Sequence, residues 1–101
     1  HSSMTNYIVN RANIKKEPLR IVSRNELIGV INIEGKKYGL YSADDITSTE
    51  AGSIKPRLTY NISLKDRVTK NDLGKVVGTF IATGNDKKEY TGAVILKVLS
   101  E

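Results

Sequence analysis

The side chains that most often perform catalysis are scarce in this chain. It contains no cysteine, and its single histidine is His1. Thiolates and imidazoles supply most protein nucleophiles, general bases and zinc ligands. A serine nucleophile with a lysine base would show as Ser-x-x-Lys, but at that spacing Ser63 is followed by Asp66 and Ser53 by Pro56. The sequence therefore predicts a protein that is not an enzyme.

Acidic side chains form one cluster, which is the remaining candidate for cation chemistry. It consists of Asp44, Asp45 and Glu50 within the polar stretch 42–53. Divalent cations need several oxygen ligands held by a defined loop, and the calcium-loop pattern D-x-[DN]-x-[DN]-G does not occur. Aspartate and serine also favour turns and helix caps. We therefore expect these carboxylates to stabilise a connection, and we predict no metal site and no cofactor.

Basic side chains concentrate near the start of the chain. The net charge is +5, and the stretch 10–25 holds five basic residues against one acidic residue, Glu17. We call these five the basic strip: Arg11, Lys15, Lys16, Arg20 and Arg24. A cluster of this kind either keeps a strand edge solvated or contacts phosphate groups. The sequence leaves both interpretations open.

A nucleic-acid interface would need aromatic rings beside these cations, because bases stack on such rings. Tyr41 shares one strand face with Lys37 and Gly39, so we expect its ring to be exposed. The basic strip with Tyr41 therefore supports one alternative function, a small nucleic-acid-binding barrel from a phage or mobile element.

A second candidate surface follows from the stretch RLTYNISLKD at 57–66. Its apolar residues alternate with its polar ones, which is typical of a strand with one buried face. The polar members are Arg57, Thr59, Asn61 and Ser63, whereas Leu58, Tyr60, Ile62 and Leu64 form the apolar face. The polar face contains no aromatic residue. We expect it to be either solvated or a flat surface for contact with a protein.

The elements that position these surfaces are predicted to be strands. Candidate strands lie at 6–14, 19–22 and 54–64, and the stretch 74–99 predicts a hairpin with its turn at 84–88. Both arms of that hairpin are apolar on both faces in places, which favours a central position in a sheet. We predict an all-β fold of six to seven short antiparallel strands, arranged as a small β-sandwich or an open barrel.

A further hairpin is predicted in GVINIEGKKYGLY at 29–41. A two-residue loop at Gly35-Lys36 would have the glycine at the first position, as a type II′ turn requires. Ile33 would then pair with Tyr38, and Ile31 with Leu40, so that the apolar side chains share one face.

Length and composition indicate one domain. The 101 residues match a single domain, and no apolar run approaches the roughly 20 residues of a membrane span. The opening HSSM resembles a tag remnant followed by a start methionine, so we assign 1–4 to that remnant and 5–101 to one β-domain. The sequence does not indicate an oligomeric state.

Two stretches, 21–49 and 74–98, resemble a known family. Gly35-Lys36-Lys37 matches a turn, Ala43-Asp44-Asp45-Ile46 matches the step into the next strand, and Gly74-Lys75-Val76-Val77-Gly78 matches a later Gly-x-Val-Val-Gly element. These elements resemble, in the same order, the C-terminal β-domain of D-alanyl-D-alanine carboxypeptidases, the low-molecular-mass penicillin-binding proteins. The resemblance covers about 19–99.

The resemblance implies a non-catalytic β-sandwich outside the cell membrane that supports a peptidase domain or contacts a partner; without it, we expect a cytoplasmic location. No catalytic motif of that family occurs here. We therefore predict an accessory or protein-interaction module whose partner is another protein or domain. The alternatives are the nucleic-acid-binding barrel and a structural protein that assembles through its edge strands.

Overall fold

The computed structural model describes residues 18–48 and 54–99, and most of these residues lie in strands. The strands are β1 (Leu19–Val22), β2 (Leu27–Ile33), β3 (Lys36–Ser42), β4 (Ile46–Ser48), β5 (Leu58–Leu64), β6 (Val76–Gly84) and β7 (Glu89–Val98). The described part of the chain has one 3₁₀ turn, at Lys70–Asp72, and no α-helix. The predicted all-β class is confirmed. The candidate strand at 6–14 lies outside the described residues.

Five of the strands form one antiparallel sheet in the order β2-β3-β7-β6-β5. The hairpin predicted at 74–99 is β6 and β7, and both of its strands are interior to the sheet, as predicted. The sheet curls into a nearly closed barrel, because its edge strands β2 and β5 contact each other through side chains. The Cδ1 atom of Ile62 on β5 lies 2.9 Å from the position that a Cβ atom on Gly29 of β2 would occupy.

Polar contacts continue this seam between β2 and β5 beyond Ile62. The Tyr60 hydroxyl donates a hydrogen bond to Oε2 of Glu26 at 2.8 Å, and Lys55 Nζ lies 3.5 Å from Glu26 Oε1. Burial first, and then the hydrogen bond to the Glu26 carboxylate, raise the pKa of Tyr60 above its ordinary value. The Tyr60 hydroxyl therefore stays protonated and keeps donating at any ordinary pH.

The hydrophobic core lies inside this barrel. Phe80 and Leu96 of the two central strands are almost fully buried, and the Tyr60 ring meets Phe80 edge to face, with ring centroids 5.9 Å apart. Strands β1 and β4 pair with each other as a separate two-stranded sheet. Strand β1 contributes the buried Ile21 and Val22 to the same core, and the partly buried Ile46 of β4 packs against it. Inward residues are therefore mainly apolar, with the buried Ser42 as an exception, and the opposite side of each barrel strand forms an outer face.

The hairpin of β2 and β3 forms as predicted, but its predicted turn is wrong. The loop residues are Glu34 and Gly35, with φ values of 52° and 83°, which is the type I′ pattern of two left-handed residues. The side chain of Asn32 accepts a hydrogen bond from the Gly35 N–H at 2.9 Å, which stabilises this turn. Ile31, instead of Ile33, pairs with Tyr38. Since the register differs by two residues, every side chain keeps its predicted face.

The charged connection between β5 and β6 is held by polar contacts within itself and with the turn between β2 and β3. Lys65 Nζ lies 2.7 Å from Asp72 Oδ1, and Asp72 Oδ2 accepts a hydrogen bond from the Thr69 N–H at 2.8 Å. These two donors, the Lys65 ammonium before the backbone amide, lower the pKa of Asp72. Lys70 Nζ reaches Glu34 Oε2 at 2.9 Å, which joins the connection to the turn between β2 and β3.

Candidate protein-contact surface

The polar side chains of β5 lie on the outer face of the barrel. Thr59, Asn61 and Ser63 are exposed and alternate with half-buried residues along the strand, and Arg57 is exposed just before it. The predicted face assignment of this strand is therefore confirmed, whereas its role in binding stays a prediction. Strand β5 itself starts at Leu58, four residues later than predicted.

Neighbouring strands extend this face with further small polar side chains. The register places Thr59 opposite Thr83, Asn61 opposite Ile81, and Ser63 opposite Thr79. On the far side of β6, Ile81 pairs with Thr91 of β7. Because directly opposed residues in a ladder point to the same side, hydroxyl groups surround the exposed Ile81 side chain on three strands.

An apolar row crosses the same face farther along β6 and β7. Leu27 pairs with Tyr41, Tyr41 pairs with Ile95, and Ile95 pairs with Val76. Bulges follow Leu27 in β2 and Val76 in β6, and each bulge changes the alternation so that these two side chains turn outward while the next residue packs inward. Leu27 is 48% exposed and Val76 57% exposed. The row therefore presents apolar surface to solvent at both ends.

Tyr41 lies on the predicted face, but its predicted exposure is wrong. Only 7% of Tyr41 is accessible, because its ring covers Gly39 on the outer face, where a Cβ atom would overlap the ring. Val30 pairs with Gly39 and is 51% exposed, so its side chain stands beside the ring. Tyr41 is thus the covered centre of an apolar patch and offers no free ring for base stacking.

The central part of the outer face has no charged side chain in three successive rows, each of which runs across neighbouring strands. We call these rows the contact face. They consist of Leu27, Tyr41, Ile95 and Val76; then Ala93, Thr79 and Ser63; then Thr91, Ile81 and Asn61. We count Val30, which borders the first row beside Tyr41, as part of the contact face. Charged side chains return only at the ends of the strands, with Lys97 beyond the first row and Glu89 beyond the last. This arrangement is an uncharged centre with a charged rim.

The basic strip is only partly visible in the structure. Arg11, Lys15 and Lys16 lie outside the described residues. Arg20 and Arg24 are exposed, and both are next to Asp45, which lies 3.9 Å from the Arg20 guanidinium. Asp45 also accepts a hydrogen bond from the Arg24 N–H at 2.7 Å. One carboxylate therefore offsets part of the positive charge at this end of the strip.

The described acidic residues of the cluster, Asp44 and Asp45, accept hydrogen bonds from backbone N–H groups near the connection that contains them. Asp44 Oδ2 accepts a hydrogen bond from the Ala93 N–H at 3.1 Å, and the buried Ser42 hydroxyl donates to the Asp44 carbonyl at 2.7 Å. Glu50 lies outside the described residues. Over 18–48 and 54–99 no group of acidic residues and histidines is arranged to hold a metal ion, and no pocket opens. Nor does this part of the chain contain a helix long and apolar enough to cross a membrane.

Sequence reasoning did not identify the apolar half of the contact face. Leu27, Val30 and Val76 belong to apolar runs whose inward and outward members look alike in the sequence. Only the bulges and the pairing registers bring them onto one side of the sheet. Glycine at position 39 opposite a β-branched residue was the available signal, because an outward glycine leaves room for a neighbouring ring to lie flat.

Comparison with known proteins adds no family to this description: no protein-family model, no curated protein and no solved structure matches the chain.

Proposed function

We propose that this chain is a non-catalytic protein-contact module and that the contact face is its binding surface. The observation that supports this most strongly is the run of three uncharged rows across the sheet. Charged residues make up 27% of the chain and its net charge is +5, so a face without charge at its centre is unusual for its surface. Protein interfaces are depleted of charge at their cores and polar at their rims.

The energetics of this face also suit binding. Leu27, Val30 and Val76 are about half exposed, so covering each would contribute about 1 kcal/mol from the apolar area that remains in water. Valine, isoleucine and threonine have restricted χ1 angles, so ordering them at an interface costs little entropy. Single exposed apolar residues are ordinary on a protein surface. Their contiguity through paired strands is what favours a binding role.

The alternatives are supported less well. A nucleic-acid site that used Tyr41 would need a free ring, and the Tyr41 ring is covered. An accessory role beside a peptidase domain, as the carboxypeptidase resemblance implies, is one form of the present proposal, in which the contact face would meet that domain.

Site-specific photocrosslinking in cells of the source organism tests the proposal. A photoreactive amino acid replaces Val76 in one variant and Val30 in another, and in the control it replaces Glu34, which is exposed in the turn between β2 and β3. We expect the first two variants to form a covalent adduct with the same protein and the control to form none. The identified partner is then titrated with purified wild-type protein, with Val76→Asp and with Glu34→Lys.

The titration has a definite expected result. Val76→Asp should weaken binding at least about tenfold, since it removes apolar contact and places an unpaired charge in the interface, whereas Glu34→Lys should bind like the wild type. Equal adduct yields at all three positions, or equal affinities, would overturn the proposal. Binding of labelled oligonucleotides that persists at physiological salt would instead support the nucleic-acid alternative.

A further inference from the structure

The contact face is complementary to itself along β7. Glu89 lies at one end of this strand and Lys97 at the other, and both belong to its outer side. Ala93, halfway between them, is the smallest outward side chain of the strand. If a second β7 ran antiparallel across this one with Ala93 over Ala93, Glu89 of each copy would meet Lys97 of the other. Both ends of the pair would then join opposite charges.

Strand β6 shows the same complementarity with apolar residues. Thr79 pairs with Ala93 and therefore lies on the same central row. Val76 and Ile81 flank that row on either side, and they are 57% and 38% exposed. A half-turn about an axis that follows the central row would place Val76 of one copy against Ile81 of the other. The most exposed apolar side chains of β6 would then cover each other twice.

We propose that the partner of the contact face is a second copy of this chain, bound face to face about a two-fold axis that follows the Ala93–Thr79 row. This inference rests on the proposed function and names the partner of the same face. A two-fold interface repeats every contact, and two sheets packed on each other cross at about 30°. A small central row lets the two sheets approach closely, while the long Glu89 and Lys97 side chains span the splayed ends.

Charge explains why a second copy fits this face. Two copies that each carry +5 repel each other in general, so self-association requires a face where that repulsion is absent or reversed. The side chains within the rows centred on Ala93 carry no charge, and the one carboxylate that borders the central row, Asp44, accepts a hydrogen bond from the Ala93 N–H. The Glu89 carboxylate has no ion-pair partner among the described residues, and it is the outward charge at its end of β7. Lys97 donates one hydrogen bond to Asn25 Oδ1 at 2.7 Å, and its ammonium has two further protons to offer.

Sedimentation velocity over a range of protein concentrations tests this inference. Charge-reversal variants are informative here, because the two-fold symmetry makes each substitution change both charged contacts. The wild type should sediment increasingly as a dimer as concentration rises. Glu89→Lys alone and Lys97→Glu alone should each be monomeric, because each puts like charges at both contacts. An equimolar mixture of these two variants should form a heterodimer, since both contacts are then complementary again. Glu34→Lys, a charge reversal in the exposed turn between β2 and β3 and outside the three rows, should dimerise like the wild type.

Together, the sedimentation and crosslinking experiments separate the second-copy inference from the proposed function. Monomeric wild type at all concentrations, or a mixture that stays monomeric while both single variants are folded by circular dichroism, would overturn the second-copy inference. An adduct at Val76 with a different protein would then leave the proposed function standing. An adduct with twice the mass of the chain, together with rescue in the mixture, would support both. Failure of both experiments would remove the contact face as a binding surface.

Discussion

Replacing Ile62 by aspartate tests the face assignment of β5, on which the position of the contact face depends. Ile62 is half-buried on the inner side of the strand, with its Cδ1 atom against Gly29 across the seam. Asn61, one residue earlier, is exposed on the outer side. Asn61→Asp is therefore a matched control, since it adds the same carboxylate to the same strand but leaves it in water.

The expected magnitude follows from what each site loses. Removing a half-buried isoleucine side chain forfeits about 1 kcal/mol of apolar burial, and holding a carboxylate in the seam adds about 1–3 kcal/mol of desolvation. The Glu26 carboxylate, bound to Tyr60 in the same seam, adds like-charge repulsion. Ile62→Asp should therefore lower the free energy of unfolding by about 2–4 kcal/mol. Both Asn61→Asp and Asn61→Ala should stay within about 0.5 kcal/mol of the wild type.

Urea unfolding followed by far-ultraviolet circular dichroism measures these differences. The Ile62→Asp midpoint should fall with little change in the slope, and its Tm should drop by roughly 8–32 °C, since about 1 kcal/mol corresponds to about 4–8 °C in a domain of this size. The controls should overlay the wild type. Equal shifts for Ile62→Asp and Asn61→Asp would refute the assignment of inner and outer faces, and the contact face with it.

Two further substitutions test a close contact of β6 and an ion pair in the connection that precedes it. Gly78→Ala should destabilise the protein by about 1–3 kcal/mol, because the new Cβ atom would overlap the Ser63 carbonyl oxygen and lie 2.9 Å from the Cα atom of Leu64; an unchanged urea midpoint would contradict this close approach. The lowered pKa of Asp72 means that its stabilising effect is complete above the ordinary carboxyl pKa of about 4 and is lost as pH falls through the folded value. Asp72→Asn should therefore be less stable at neutral pH and lose less stability on acidification than the wild type, and parallel acid-unfolding curves would show that the Lys65 contact does not matter.

Local sequence patterns predicted the strands because alternation and turn residues act over a few positions. In the stretch 57–64 the residues of one face are polar and those of the other face are apolar. The pattern alone therefore indicates which face is buried, without knowledge of the partner strands. The β2–β3 turn was misplaced because Gly35 fits either of two loop positions. Glu34 tolerates a left-handed φ in this turn, while Asn32 caps the Gly35 amide, and neither preference is visible from the glycine alone.

The contact face was less predictable because it depends on registers between distant strands. Leu27 and Val76 are separated by almost half of the chain, yet Tyr41 and Ile95 connect them in one row. A bulge reverses the side-chain alternation of a strand, and nothing in the local composition of β2 marks the position at which it does so. Long-range pairing therefore determines which apolar residues are left outside.

Tyr41 shows why correct orientation and correct exposure are separate predictions. Its face follows from the spacing of two residues that it shares with Lys37 and Gly39, and the structure places the ring on that face. Its burial follows from the missing side chain at Gly39, over which the ring lies. Gly39→Ala would force the ring away from the sheet, toward solvent, without touching the core. That variant should therefore expose the Tyr41 ring and weaken the binding of a partner to the contact face. If the face is only solvated, the substitution should change no binding affinity.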